Sequence, residues 1–316
     1  MEKIELLDIS LLDDEIKLKE IDHWLKVLNW PNGWHYDLDI IWTLKNLERL
    51  NIAPGATVID AGGGLGVTQF VLAARGYNVI SLDFGERKKP KYAKGIFNIE
   101  CIDRDLGDYK HEYMEFMRFD QRPAEQASIP IISKIKAYIK QPSKIIYRIG
   151  SSVRQRYNPH YLHELRCEHV DYGKITFLRG TFNDMPIEDN KADALISISA
   201  FEHNTFEDMA GSVIEFNRVI KPGAHMMVTT SAAREKDWYH EPSKGWNFTQ
   251  QTLSKWFGVT DNISFDYEPT FKRIKDSTKL QKRISPYYRY STKSGLPYAK
   301  LEDAKYCPVG IIRVKI

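Results

Sequence analysis

The run Asp60-Ala61-Gly62-Gly63-Gly64-Leu65-Gly66 constrains this chain more than any other stretch. It follows an apolar segment, Thr57 to Asp60, and precedes a helical pattern from Thr68 to Arg75. Gly76 stops that helix, and a second apolar segment runs from Asn78 to Asp83. Strand, glycine turn, helix and strand make one βαβ unit, which commits the chain to a parallel sheet. Glycines at such a turn let backbone come close to a ligand and lead straight into a helix whose first amides face it. In an open parallel sheet the ligand lies beyond the carboxyl ends of the strands. The residues to weigh are therefore the glycine loop and Leu82-Asp83-Phe84.

Spacing narrows the ligand. A dinucleotide fingerprint starting at Gly62 needs glycine at position 67, which is Val67. A nucleotide-phosphate loop needs a closing lysine, and none lies between Asp60 and Arg75. What remains is an acid before the loop and an acid ending the second strand. The first suits a cationic amino group, and the second suits ribose hydroxyls, which donate hydrogen bonds to it. An adenosyl amino acid carries both groups. A plain tight turn at the loop and a helix N-cap at Asp83 are the structural alternatives.

Here the chain resembles the class I S-adenosylmethionine-dependent methyltransferases, whose first motif is matched by Val58 to Gly66. Asp83 matches the ribose-binding acid, Phe177 to Pro186 the segment closing over adenine, Asp193 to His203 the fourth strand and its loop, and Glu215 to Ala224 the helix and turn before the fifth strand. The matching parts, roughly 57–99 and 175–231, are under half of the chain. Thr181 departs from the pattern, because the family often has an acid there contacting the adenine amino group; Thr181, Phe182 or Asn183 is left to make that contact. The resemblance implies a doubly wound, Rossmann-like, mostly parallel α/β sheet and S-adenosyl-L-methionine as cofactor. It implies cofactor contacts from Asp60, Gly62, Gly64, Gly66, Asp83, Phe84, Thr181, Phe182 and Ser199, with Trp34 and Tyr36 overhanging from helices before the first strand. Those two aromatics equally suit packing of that segment on the domain.

Around this unit the chain divides by pattern. Residues 1–50 have helical periodicity broken at Trp30-Pro31-Asn32-Gly33 and read as an N-terminal helical cap. Residues 51–316 read as the methyltransferase domain, interrupted between its second and third strands by an insertion, 100–173, expected to be helical and to act as a lid or acceptor-binding element. Strand and helix alternation resumes over 175–231, and Val309 to Ile316 reads as an edge strand. The net charge of +3 is too small to argue for nucleic acid. Cys101, Cys167 and Cys307 lack the paired spacing of a zinc or redox motif, so a reducing cytoplasm is expected. The amino-terminal stretch is acidic, unlike a signal peptide, and no apolar run approaches the ~18 residues of a membrane span.

Methyl transfer from a sulfonium needs alignment and, for a hydroxyl or amine, a base. The loops after the fourth and fifth strands offer Glu202, His203, His240 and Glu241, with His35 a further candidate; histidine as a residue type suits the base role, which points to His203 and His240, and Glu202 lies beside His203. A structural hydrogen bond for either histidine is the plainer alternative. No metal-ligand spacing fixes these four into a metal site. The expected function is methylation of a hydroxyl on a small molecule, sugar or lipid-linked glycan; an N-methyltransferase and a non-catalytic fold relative are the alternatives. Residues 129–160 carry Lys134, Lys136, Lys140, Lys144, Arg148, Arg154 and Arg156 without one acid, interleaved with apolar residues. That stretch suits an anionic membrane surface or a phosphorylated acceptor, or else a lid with solvated lysines.

Overall fold

A computed structural model describes residues 2–28, 30–90, 93, 95–106, 171–285, 288 and 296–315. The basic stretch 129–160 and most of the expected insertion therefore lie outside the described residues. Among those described, the strands are β1 (Lys3–Leu6), β2 (Thr57–Ala61), β3 (Asn78–Asp83), β4 (Ile99–Ile102), β5 (Ile175–Arg179), β6 (Ala192–Ile198), β7 (Ile220–Ala232), β8 (Trp238–His240), β9 (Gly245–Asn247), β10 (Ile263–Ser264) and β11 (Cys307–Val314). The helices are α1 (Glu15–Leu28), α2 (Tyr36–Arg49), α3 (Thr68–Ala74), α4 (Met209–Val219), α5 (Gln250–Phe257), α6 (Tyr267–Lys275) and α7 (Thr278–Arg283).

Nine strands form one sheet in the order β10-β1-β11-β7-β6-β2-β3-β5-β4, and β8 and β9 pair apart as a small antiparallel ribbon. From β4 to β7 every neighbour is parallel; β11 runs antiparallel between β7 and β1. Apolar residues on both faces make this central region a core: Val58, Ile59, Leu195, Ile196, Met227 and Val228 are fully buried. The chain winds from β2 towards β3 and β5 on one side, and through β6 and β7 on the other. The switch point thus falls between β2 and β6, where a crevice opens at the strand ends.

Two elements differ from expectation. The first fifty residues are more than a helical cap, because Lys3–Leu6 joins the sheet, pairing antiparallel with β11 and parallel with β10. Ile4 and Leu6 are buried while Lys3 and Glu5 are half-buried, the alternation of a strand with one covered face. The start of the expected insertion is also strand, for Ile99–Ile102 pairs parallel with β5 at the sheet edge. The turn expected at Lys221-Pro222-Gly223 appears as an irregularity within β7: Ala192 pairs with Ile220, and Ala194 with His225. No helix among the described residues is long and apolar enough to cross a membrane.

Candidate cofactor and acceptor site

The glycine loop is shaped by what surrounds it. Gly62 and Gly63 donate their amides to the Leu82 carbonyl at 2.8 and 3.2 Å, which ties the loop to the end of β3. Gly62 has φ +79°, and a Cβ there would stand 2.3 Å from Ala200 Cβ and 2.9 Å from Phe182 Cζ. The loop therefore needs glycine both for its backbone and for the approach of the segments after β5 and β6. Asp83 accepts the Gly64 amide at 2.9 Å on one carboxylate oxygen and the Gly85 amide at 2.8 Å on the other.

A cavity of about 330 Å³ opens above the loop. Asp60, Gly62 to Thr68, Ile198 and Ser199 form its floor, and Trp30 to Gly33 with Tyr36 form its roof. Asn32 and Asp37 hold that roof in place: Asn32 Nδ2 donates to Asp37, whose other oxygen accepts Arg283 Nε at 2.6 Å. Asp60 is 2% exposed, and burial pushes its carboxyl up to about 7, with Arg87 pulling it down and Asp83 pushing it further up. An ionised carboxylate there is held away from water, and a cationic ligand group in the cavity would stabilise it. The lining thus holds what an adenosyl amino acid would need, a buried acid at Asp60 for its ammonium and close backbone approach over the glycine loop.

Of the expected cofactor contacts, Asp60, Gly62, Gly64, Gly66, Ser199 and Tyr36 line the cavity together. Phe182 packs against Gly62 from the side, its ring 5.3 Å from that of Phe216. Asp83, Phe84, Thr181 and Trp34 are not in the lining, although Asp83 accepts the amide of Gly64, which is. The Phe84 carbonyl accepts Arg179 Nε at 3.0 Å, and Trp34 Nε1 donates to the Tyr306 hydroxyl at 3.3 Å, which turns that indole towards the C-terminal segment.

Behind Tyr36 and Ser199 lies a buried polar cluster. His35 Nδ1 is 2.6 Å from Asp39 Oδ2, with the two residues 2% and 0% exposed. Ser199 Oγ stands 3.5 Å from the same oxygen, and Asp39 Oδ1 is buried without a partner. Trp34, Tyr36 and Tyr306 surround the imidazole with ring centroids at 4.7, 5.4 and 5.7 Å. Glu202 is buried close by and accepts Thr230 Oγ1 at 3.0 Å; burial pushes its carboxyl up, with the nearby charges of His203 and His35 opposing. Burial also pushes the Tyr36 and Tyr306 hydroxyls up, reinforced by Glu202, Asp39 and Tyr288.

The two histidines singled out as bases each have Nδ1 paired with a neighbour. His203 Nδ1 pairs with the Lys244 carbonyl at 2.7 Å, and the ring lies against Gly245. His240 Nδ1 pairs with Ser243 Oγ at 2.7 Å on the β8–β9 ribbon, where burial lowers its pKa. Among the described residues there is no group of three or more metal-ligating side chains. Sequence reasoning named His35 but missed its partner Asp39; the four-residue spacing on α2 was the available signal. It missed Ser81, Gln69 and Arg87 beneath the loop altogether.

Residues 148–228 match the family model described as "Methyltransferase domain". No curated protein matches the chain in sequence. Among solved structures, the chain is similar to the [4+2]-cyclase SpnF, with 12% identity, 100% of this chain and 99% of that one covered, and a TM-score of 0.47. It is also similar to the Burkholderia thailandensis 1,6-didemethyltoxoflavin-N1-methyltransferase with its bound substrate and S-adenosylhomocysteine, with 10% identity, 97% and 84% covered, and a TM-score of 0.41. At those values nothing about this chain's acceptor follows from either. The match over residues 148–228 supports S-adenosylmethionine-dependent methyl transfer, and the strand order and glycine loop agree with it. Its cofactor is S-adenosylmethionine.

Proposed function

We propose that the chain methylates a hydroxyl of a small-molecule acceptor, of the sugar or lipid-linked glycan class, with His35 as the base. The observation that carries this reading is the His35–Asp39 pair, buried against Ser199 and Tyr36 at the edge of the cofactor cavity. When bound, S-adenosylmethionine supplies a methyl group already activated by its sulfonium, so alignment and proton removal are what the chain must add. A carboxylate only accepts hydrogen bonds, so Asp39 takes Nδ1–H of His35 and leaves the Nε2 lone pair available. His35 Nε2 would then take the proton of the acceptor hydroxyl, the one proton that methyl transfer from a sulfonium to that oxygen releases. Asp39 Oδ1, the partnerless buried oxygen, is suited to accept a second donor from the acceptor. Glu202, protonated more readily through burial, helps close this side to bulk water.

The test is transfer of labelled methyl from S-adenosylmethionine to separate panels of hydroxyl and amine acceptors. His35→Gln should lose turnover by about two to four orders of magnitude on the acceptor found, with S-adenosylhomocysteine affinity kept. His203→Ala and His240→Ala should stay near wild type. Full activity in His35→Gln would remove the assigned base, and product from amines alone would redirect the reading to N-methylation. The charge of residues 129–160 supports an anionic partner, a phosphorylated acceptor or a membrane surface.

A further inference from the structure

Arg87 follows the turn after β3 and reaches back under the glycine loop. Its Nη1 donates to Ser81 Oγ at 2.7 Å and lies 3.4 Å from both the Gly64 carbonyl oxygen and Gln69 Oε1. Its Nη2 donates to the Ser81 carbonyl and, at 3.3 Å, to that of Leu178, so the guanidinium bridges β3 and β5. The Phe177 ring lies beneath it, 4.7 Å from the centroid. Ser81 Oγ commits its proton to Gln69 Oε1 at 2.5 Å, and Gln69 Nε2 donates to the Gly66 carbonyl at 2.8 Å. Every one of these links is to a neutral group. None is an ion pair, and yet the arginine is largely withdrawn from water.

That arrangement leaves the charge of Arg87 unspent on a direct partner. Asp60 is the buried acid beside it. The groups facing Asp60 are Arg87, Asp83, Ser81 and Gln69, the last two neutral; Ser81 Oγ is 3.5 Å away with its proton already committed. Ser81 Oγ stands between the two charges, 2.7 Å from Arg87 Nη1 and 3.5 Å from Asp60 Oδ2, so the guanidinium acts on Asp60 across one hydroxyl, against the like charge of Asp83. We propose that Arg87, locked by this network outside the cavity, is a positioning residue that readies Asp60 to receive the cationic amino group of the cofactor. It touches no reacting atom and works through Asp60 alone. The inference rests on the cofactor assignment above and adds to it a residue that no motif contains.

Two probes separate charge from shape. S-adenosylhomocysteine carries the amino-acid group that Asp60 would meet, and 5′-methylthioadenosine lacks it. Calorimetric affinities from pH 6 to 9 should rise with pH for S-adenosylhomocysteine on the wild-type protein, with a midpoint near 7, because Asp60 must ionise to accept the ammonium. Arg87→Met should move that midpoint up, so that at pH 7 the ionised fraction, and with it the affinity, falls. The deficit should close at high pH, and 5′-methylthioadenosine should show none at any pH. Arg87→Lys, which keeps the charge but not the forked hydrogen bonds, should restore the midpoint; thermal melts of both variants report whether the fold is kept. Identical pH profiles in wild type and Arg87→Met would overturn the proposal. So would equal weakening of both ligands in Arg87→Met and Arg87→Lys, which is what a purely structural arginine predicts. A wild-type protein that binds neither ligand would instead overturn the cofactor assignment, and the inference with it.

Discussion

Replacing Asp60 by Asn should make the ligand-free protein more stable at alkaline pH and worse at binding its cofactor. The carboxyl is held near 7 in the folded chain by burial, against an ordinary value of 3.8. A carboxyl whose folded-state value is raised favours the fold while it stays protonated. That contribution is complete below about pH 4 and is lost as pH rises through 7. The shift of about three units corresponds to roughly 4 kcal/mol between the two limits, an upper bound because Arg87 and relaxation around the site are included in it. Asn keeps the shape and cannot ionise, so the variant should lack this loss. Urea melts at pH 5.5 and pH 8.5 give the comparison: the loss accrues between about pH 4 and 7, so the advantage of Asp60→Asn over the wild type should be larger at the higher pH by about 2 kcal/mol. In the same variant S-adenosylhomocysteine should bind about 10- to 150-fold more weakly, the loss of a charge-assisted hydrogen bond worth about 1.5–3 kcal/mol. Equal stability of the two proteins at both pH values, or unchanged affinity, would refute the assignment of Asp60 as a strained acid awaiting a cation.

Gly62→Val should abolish measurable S-adenosylhomocysteine binding while leaving the sheet intact by circular dichroism, since a side chain there meets Ala200 and Phe182 at a positive φ. Asp83→Ala frees the Gly64 and Gly85 amides together, and should weaken both S-adenosylhomocysteine and 5′-methylthioadenosine in calorimetry, because the ribose is common to them. Deleting residues 1–6 removes Ile4 and Leu6 from the core, worth roughly 1.5–3 kcal/mol each, and bares the edge of β11; a lower melting temperature and concentration-dependent aggregation should follow in light scattering. If residues 129–160 meet an anionic surface, the protein should co-sediment with anionic vesicles at low salt and be released at high salt, and reversing Lys134, Lys136 and Lys140 to Glu should remove the effect.

What was legible in the sequence is what its local chemistry decides. The β2–α3–β3 unit could be read because glycine spacing, helical periodicity and apolar runs agree within thirty residues of chain, and the same holds for β6, α4 and β7. The first strand could not. Lys3–Leu6 is four residues long, and its alternation gains meaning only from pairing with β11, some three hundred residues away. The surroundings of the acceptor side were hidden for a related reason. His203 and His240 are conspicuous because they follow strand ends, but the partners of their Nδ1 atoms, Lys244 and Ser243, are neighbours that only the fold around the β8–β9 ribbon brings near. His35 and Asp39 are four apart on α2, a visible spacing, yet which face of α2 turns inward is decided by packing: Trp42 lies over Gly310 of β11, where a Cβ would stand 2.5 Å from the indole. With that face fixed, Asp39 meets Ser199 across 160 positions of sequence. Arg87 is the extreme case, since Glu86-Arg87-Lys88-Lys89 reads as a solvated basic turn. One of its cations is drawn inward because Ser81 and two strand carbonyls offer acceptors beneath the loop. A motif can announce where a cofactor binds, whereas the charge state of the acid beside that loop is set by its burial and then by Arg87, a residue the motif does not contain.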